Sequence, residues 1–234
     1  WITHNCMALY RDVDYFQLGS DLDFISWDSY PSHNPNQHYS SEALSHHVMW
    51  AIRQRNTLIM EKQSGPGGWM TYMPQTAPGQ TSMHAWQSIA RGADGISYFR
   101  WRTSISGQEQ YWHGILNHDN QPRRRYHEIA EMGKQIKRVG KSILGTEPVQ
   151  QVGIYNDYDQ IWATEHQPQN RDNPIRFQGV MCELAEAVAP MGVDFGSFGT
   201  GSDLGRFKLL LCPPLYLCDP AFIRKLEAFV RAGG

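Results

Sequence analysis

The chain has 234 residues and a formal net charge of −2, and this length allows one large domain or two smaller ones. A nearly neutral chain lacks the basic surface with which proteins hold nucleic acids or anionic membranes. We therefore expect neither of these as a partner, and small neutral ligands are favoured.

The cysteines and the hydropathy pattern exclude further classes. The four cysteines are Cys6, Cys182, Cys212 and Cys218. None forms a Cys-x-x-Cys pair or has zinc-ligand spacing, so we expect no metal and no cofactor. No run of 18 apolar residues and no signal-peptide pattern occurs, which favours a cytoplasmic protein. Aromatic residues make up 12% of the chain, and their flat apolar faces with polar edges suit sugar rings.

Predicted strands and helices alternate through the first 143 residues. Strands are expected at residues 1–5, 24–30, 57–60 and 96–101, and helices at 12–22, 40–52, 82–91 and 126–139. In the second helix, His46 and His47 are adjacent, so we interpret them as surface and helix-face residues rather than ligands. Alternation at this spacing predicts parallel strands joined by right-handed crossovers.

The strand at residues 57–60 is followed by the most informative feature of the chain. Glu61 comes directly after this apolar run, and a Gly- and Pro-rich loop then leads to Trp69. In parallel α/β enzymes the active site lies at the C-terminal ends of the strands. Glu61 is therefore a candidate catalytic residue, although a glutamate that only begins a solvated loop fits the same pattern. Asp28, at the preceding strand end, is interpreted as a structural hydrogen-bond acceptor.

The pattern of predicted elements changes after residue 148. Strands are expected at residues 152–155, 193–195 and 209–211, a polar loop at 156–174, and helices at 176–189 and after Asp219. This pattern predicts a doubly wound α/β domain that we expect to continue beyond residue 234. Cys212 follows a strand, but Pro213 and Pro214 cannot form the Gly-flanked turn of a nucleophile elbow. We therefore expect an assembly domain and no catalytic cysteine.

Four motifs in this order closely resemble glycoside hydrolase family 42, the β-galactosidases. They are Asp-Ser-Tyr-Pro at 28–31, Met-Glu-Lys-Gln-Ser-Gly-Pro at 60–66, Gly-Ala-Asp-Gly at 92–95, and Phe-Arg-Trp-Arg at 99–102 with the loop to residue 113. The resemblance implies a (β/α)8 TIM barrel followed by a glutamine-amidotransferase-like α/β trimerisation domain. By this pattern residues 1–143 hold barrel strands five to eight, the C-terminal half of the barrel. Residues 148–234 hold most of the trimerisation domain.

The resemblance also implies an activity, a substrate and a nucleophile. Members hydrolyse terminal β-galactosides with retention of configuration, and the intact protein is expected to be a homotrimer. Glu61 matches the nucleophile, and Tyr30 matches the tyrosine that lines the subsite and contacts it. The family's acid/base glutamate, which follows an asparagine at the end of strand four, has no counterpart in this chain.

Further sugar contacts are implied after the nucleophile. Trp69 matches the tryptophan beside the galactose ring, and Glu109 matches an acidic residue that holds sugar hydroxyls. Some members have a histidine three residues after that glutamate. Here Trp112 occupies the position and His113 follows it, so either side chain is a candidate for the sugar contact.

Two alternative functions fit the same residues. Retaining hydrolysis needs two carboxyl groups about 5 to 5.5 Å apart, and Glu61 can serve as only one of them. The chain is thus also interpretable as a non-catalytic, incomplete fragment that only binds sugar or self-associates. Another retaining barrel glycosidase, such as a β-mannosidase or a xylan-acting enzyme, is the second alternative.

Overall fold

The computed structural model describes residues 1–31, 39–67, 74–170, 172 and 174–234, which form two compact units. The first unit takes in Trp1–Ile25, His38–Arg55 and Pro148–Gly234. The second unit takes in Ser26–Gln37 and Asn56–Glu147. Both are α/β units with parallel strands, as the alternation of elements predicts.

The strands and helices of the described residues alternate up to residue 166, after which helices and strands also follow one another directly. The strands are β1 (Asn5–Cys6), β2 (Ser26–Ser29), β3 (Thr57–Gln63), β4 (Ala93–Phe99), β5 (Val152–Tyr155), β6 (Phe195–Phe198) and β7 (Leu209–Leu211). The helices are α1 (Tyr15–Gly19), α2 (Tyr39–Ala51), α3 (Gln80–Ala90), α4 (Arg124–Ile143), α5 (Tyr158–His166), α6 (Phe177–Val188) and α7 (Pro220–Arg231). A short 3-10 helix (Ala189–Met191) follows α6.

The second unit is built on β2, β3 and β4, with β3 between the other two. All three run parallel, and the register places Asp28 beside Glu61 and Ser29 beside Lys62. Helix α3 packs against β4 and against α4. Because parallel strands point the same way, the C-terminal ends of β2, β3 and β4 meet at one edge of the sheet.

Strand β3 continues past its predicted end at residue 60. It runs to Gln63, and the side chains of Lys62 and Gln63 are 1% and 3% exposed. These residues pair with Tyr98 and Phe99 of β4, which extends the ladder through a stretch whose polar composition is typical of a loop. Glu61 therefore lies inside the strand, near its C-terminal end.

The first unit is built on the sheet order β6-β5-β7, again with all strands parallel. Val152 of β5 pairs with Phe195 on one side and Leu209 on the other. Strands β5 and β7 have the bounds that their apolar runs predict. Large apolar side chains bury the middle of this unit, including Ile154, Tyr155, Phe177, Met181, Phe195 and Phe198.

Helix α2 packs against β6 and α6 in the first unit, which corrects the interpretation of His46 as a surface residue and agrees with that of His47 as a helix-face residue. Both His46 and His47 are 1% exposed. The His47 ring packs edge-on against Phe195 at 5.2 Å between centroids, and its Nδ1 lies 3.1 Å from Nε2 of Gln150. The His46 prediction was wrong because the burial comes from elements far along the sequence.

Helix α5 occupies part of the segment predicted to be a polar loop. Asp157 caps it by accepting a hydrogen bond from the Asp159 amide at 3.1 Å. Tyr158, Ile161 and Thr164 are buried at three-residue intervals, so one narrow apolar stripe suffices to dock a short helix. The loop prediction was wrong here because polar residues dominate the other faces.

In the part of the chain that the structure describes, no helix has both the length and the apolar character needed to cross a membrane.

Candidate active site

The ends of β2 and β3 bring Tyr30 and Glu61 together. Tyr30 follows β2 directly, and its Oη donates a hydrogen bond to Oε2 of Glu61 at 2.6 Å. A hydroxyl–carboxylate bond of this length is charge-assisted and stronger than a neutral one. The adjacent strands therefore hold the Glu61 carboxylate in one orientation.

The environment keeps the proton on Tyr30. Burial raises the pKa of the Tyr30 hydroxyl, and the hydrogen bond and negative charge of Glu61 raise it further. A tyrosine with a raised pKa stays protonated, so Tyr30 is the donor of this bond and Glu61 the acceptor. This arrangement suits a nucleophilic carboxylate, which needs its charge located and its attacking oxygen unprotonated.

Trp112 forms an apolar wall beside this pair. Its ring lies 4.8 Å from the Tyr30 ring, at an interplanar angle of 64°, and it meets the Phe99 ring edge-on at 6.1 Å. Only 8% of Trp112 is exposed. Edge contacts of this kind fix ring orientation, so Trp112 and Phe99 restrict the position of the tyrosine that holds Glu61.

Glu109 lies in a more exposed position and is paired with Arg100. The Arg100 guanidinium donates to Oε2 of Glu109 at 2.8 Å, and half of the Glu109 side chain, 51%, is exposed. The same guanidinium lies 5.3 Å from the centre of the Phe99 ring. Glu109 therefore has a cation to orient it and an open side on which to accept further hydrogen bonds.

His113 lies in different surroundings from Trp112. Its backbone amide donates to the Pro66 carbonyl at 3.0 Å, and its ring packs edge-on against His118 at 5.3 Å. It lines a cavity of about 580 Å³ together with residues that include Arg125. Burial lowers the pKa of His113, and the charges of Arg125 and His118 lower it further. Of the two candidates, the structure packs Trp112 and not His113 against Tyr30.

Two predicted features remain outside this geometry. Trp69 lies outside the described residues. Cys212 follows β7, and desolvation raises the pKa of its thiol, which disfavours the thiolate that a cysteine nucleophile needs.

Sequence reasoning missed Lys62 and Ser29 beside the candidate nucleophile. Lys62 Nζ donates to Ser29 Oγ at 2.6 Å across β2 and β3, and both side chains are buried, at 1% and 0% exposure. A lysine directly after the apolar run of residues 58–60 was the available signal, because a buried lysine side chain must find hydrogen-bond acceptors. The pair ties the two strand ends that carry Tyr30 and Glu61.

Among the described residues, no three or more His, Cys, Asp or Glu side chains are grouped so that they could hold a metal ion.

Two family models match the chain. Residues 1–139 match the glycoside hydrolase family 42 model, described as beta-galactosidase, and residues 150–234 match the model described as beta-galactosidase trimerisation domain. The similarity therefore extends through almost all of the sequence.

Individual relatives are similar over the whole chain. A beta-galactosidase of Clostridium cellulovorans is 33% identical over 238 residues, which cover 100% of this chain and 35% of the relative. The crystal structure of the beta-galactosidase from Rahnella sp. R3 has 27% identity and a TM-score of 0.92, covering 99% of this chain and 35% of that one. The corresponding structure from Bacillus circulans sp. alkalophilus has 26% identity and a TM-score of 0.91, covering 97% and 34%. The chain thus spans about a third of the length of these relatives.

Proposed function

The chain belongs to glycoside hydrolase family 42, and from this premise we propose that it supplies the nucleophile and part of the sugar pocket of a retaining β-galactosidase. The observation that carries the proposal is the 2.6 Å hydrogen bond from Tyr30 to Glu61 at adjacent strand ends. The relatives' names, all beta-galactosidases, support a terminal β-galactoside as the substrate.

In the proposed reaction, the Glu61 oxygen that is not bound to Tyr30 attacks the anomeric carbon of the galactoside. The bond to the leaving oxygen breaks as that oxygen takes a proton from a second carboxyl group, which leaves a covalent galactosyl ester on Glu61. The second carboxylate then takes a proton from water, and the hydroxide formed displaces Glu61. Two inversions give net retention. We assign the second carboxyl group to a part of the complete protein that this chain does not contain.

The remaining pocket residues are assigned by their contacts. We assign Trp112, packed on Tyr30, to the wall beside the bound sugar, and Glu109, oriented by Arg100, to a hydroxyl contact. Such a contact strengthens as positive charge develops on the ring in the transition state. His113 is assigned to the neighbouring cavity. Trp69, which lies outside the described residues, is assigned to the face of the galactose ring on the family resemblance alone.

The proposed architecture follows the family. Residues 1–143 correspond to the second half of a (β/α)8 barrel, and residues 148–234 to a glutamine-amidotransferase-like trimerisation domain in a homotrimer. The parallel order of β2, β3 and β4 supports the barrel assignment, because barrel strands of this kind are parallel and adjacent in sequence order. The order β6-β5-β7 supports a doubly wound second domain.

The nucleophile assignment is tested in the complete protein by Glu61→Ala. We expect kcat for an aryl β-galactoside to fall on the order of 10⁴-fold or more, as for loss of an essential nucleophile. Azide should restore part of the turnover and give a galactosyl azide of α configuration, because one displacement replaces two. Glu109→Ala is the matched control, which should weaken turnover without azide rescue. Wild-type turnover in Glu61→Ala would place the nucleophile elsewhere.

A further inference from the structure

The cavity of about 580 Å³ beside His113 lies between the chain segments that follow β3 and β4 in the second unit. Pro66 and Gln75 of the first segment line it, together with residues of the second segment and the start of α4. In the proposed barrel, β3 and β4 are the last two strands, and TIM barrels frequently hold a phosphate group at the loops that follow those strands. The charge of the lining decides whether this cavity suits such a group.

Arg125 places a buried positive charge in the cavity wall. The residue is 5% exposed, and a guanidinium stays protonated in proteins. Its Nε donates to the Gly114 carbonyl at 3.1 Å, and its Nη2 donates to Oδ1 of Asn117. Both acceptors are neutral. Burial lowers the pKa of Arg125, and the charge of Arg124 lowers it further, so this cation lies in surroundings that disfavour its charge.

Gln75 marks a position that two guanidinium groups share. With its amide oxygen turned towards them, Oε1 accepts from Arg124 Nη2 at 3.2 Å and from Arg125 Nη1 at 3.3 Å. Gln75 is an exposed residue, and the Arg124 side chain is 33% exposed. A solute that enters the cavity can therefore take the place of this amide oxygen and meet both guanidinium groups at once.

The carboxylates near these arginines are already paired. Asp119 binds Arg123 at 2.5 Å, and Glu128 binds Arg124 at 2.9 Å. In the part of the chain that the structure describes, no carboxylate forms an ion pair with Arg125. Three guanidinium groups and two carboxylates leave one positive charge without a counter-charge. A buried charge in this position is costly, and an anion in the cavity would remove the cost.

The start of α4 adds to the positive potential. This helix is 20 residues long and begins at Arg124, and its N-cap residue, Arg123, makes no side-chain cap hydrogen bond. A helix N-terminus carries roughly +0.5 of an elementary charge and presents backbone N–H groups. The helix end and the guanidinium of Arg125 therefore favour the same sign of ligand charge.

We propose that this cavity binds an oxoanion of the phosphate class, either free phosphate or the phosphate group of a small organic molecule. Its oxygens would accept hydrogen bonds from Arg124 and Arg125 at the position of the Gln75 oxygen, in the forked geometry that guanidinium groups offer to phosphate. Pro66 and Ile115 also line the cavity and provide apolar surface for an organic part. The proposal does not require Glu61 to be the nucleophile.

The test is isothermal titration of the complete protein with inorganic phosphate and with glycerol 1-phosphate, in buffers that chloride brings to one ionic strength. Glycerol is the uncharged probe. Gln75→Glu places a carboxylate between the two guanidinium groups, and Arg125→Met removes the buried charge with little change in side-chain length. Each change should weaken phosphate binding by about ten-fold or more, as for loss of a charge-assisted contact.

Melting curves of the variants separate a lost site from a lost fold. Gln75→Glu should melt at a higher temperature than the wild type, because its carboxylate supplies the counter-charge that Arg125 lacks. If Arg125→Met does not fold, Gln75→Glu decides the test alone. Tighter binding of glycerol 1-phosphate than of phosphate would identify an organic phosphate as the ligand, and equal or weaker binding would identify the free ion.

Two controls separate this cavity from other positions. Arg138→Met makes the same substitution at an exposed residue of α4, about 20 Å further along the helix, and Glu61→Gln alters the candidate active site. Neither should change phosphate binding. The proposal is overturned if the wild type does not bind phosphate at millimolar concentration, or if glycerol binds as tightly. It is also overturned if Gln75→Glu binds phosphate like the wild type, if Arg138→Met weakens binding as much as Arg125→Met, or if Glu61→Gln abolishes it.

Discussion

The two parallel sheets differ in the hydrogen bonding of the polar acceptor at the end of their central strand. In the second unit, Glu61 near the end of β3 accepts a hydrogen bond from Tyr30 of the neighbouring strand end. In the first unit, Asn156 directly after β5 has a buried side-chain oxygen with no donor among the described residues. The comparison indicates that one sheet edge positions its polar acceptor with a donor from the neighbouring strand, whereas the other buries its acceptor without such a donor among the described residues.

The polar side chains around Glu61 and those around Asn156 also differ in what they bind. Lys62 and Ser29 tie β3 to β2 next to Glu61 through a buried hydrogen bond of 2.6 Å. Around Asn156 the neighbouring polar groups cap helices, as Asp157 and Asp219 do. Preorganised donors are what electrostatic catalysis needs, and this contrast favours the second unit as the place of the chemistry.

Of the changes that test this comparison, removing the hydrogen-bond donor to Glu61 is expected to have the largest effect. We expect Tyr30→Phe in the complete protein to lower kcat for an aryl β-galactoside about 10- to 150-fold, because a hydrogen bond to a charged group contributes roughly 1.5 to 3 kcal/mol. Steady-state kinetics at several substrate concentrations measures the effect.

Tyr98→Phe is the matched control for this measurement. The Tyr98 hydroxyl is buried and has no hydrogen-bond partner among the described residues, so its loss should change kcat less than two-fold. If Tyr30→Phe also retained full activity, the Tyr30–Glu61 contact would have no catalytic role.

An intermediate effect is expected on stability when the tie between β2 and β3 is cut. Ser29→Ala leaves the buried Lys62 ammonium without one of its acceptors, which should lower the free energy of unfolding by about 1 to 3 kcal/mol. Urea denaturation followed by tryptophan fluorescence measures this change.

Ser97→Ala serves as the control for Ser29→Ala. Ser97 lies on the neighbouring strand β4 and is exposed, so its replacement should change stability by no more than about 0.5 kcal/mol. Equal stability of Ser29→Ala and the wild type would mean that the tie does not stabilise the strand ends.

The smallest expected effect is a pH dependence at His113. Because the folded protein lowers the pKa of His113 below its ordinary value of 6.5, the unfolded chain binds more protons near and below that pH. The neutral imidazole therefore adds to the free energy of unfolding above about pH 6.5. This contribution is lost as the pH falls through the lower pKa that His113 has in the folded protein. His113→Gln should reduce the loss of stability between pH 7 and pH 5, as measured by urea denaturation. An unchanged slope would show that His113 is not desolvated.

Much of the fold followed from local patterns. Strands β5 and β7 are short, largely apolar runs that are followed closely by turn residues, Asn156-Asp157 after β5 and Pro213-Pro214 after β7, so their bounds matched the prediction. Glu61 and Tyr30 were expected together because parallel strands on neighbouring positions end at the same edge, and the structure places them in contact.

The features that were missed depend on distant parts of the chain. His46 is buried because α2 packs on β6 and α6, and no local pattern in α2 reveals these distant partners. Helix α5 buries one narrow stripe, which a polar composition obscures. That Trp112 rather than His113 packs against Tyr30 is likewise a property of the folded loop and not of residue spacing.

Covalent trapping tests the role of Glu61 most directly. The complete protein would be incubated with 2,4-dinitrophenyl 2-deoxy-2-fluoro-β-galactoside, whose fluorine slows hydrolysis of the glycosyl ester, and then digested for peptide mass spectrometry. We expect one fluorogalactosyl group on the peptide that contains Glu61, with fragment ions that place it on that carboxylate. A label on any other residue would contradict the assignment of Glu61 as the nucleophile.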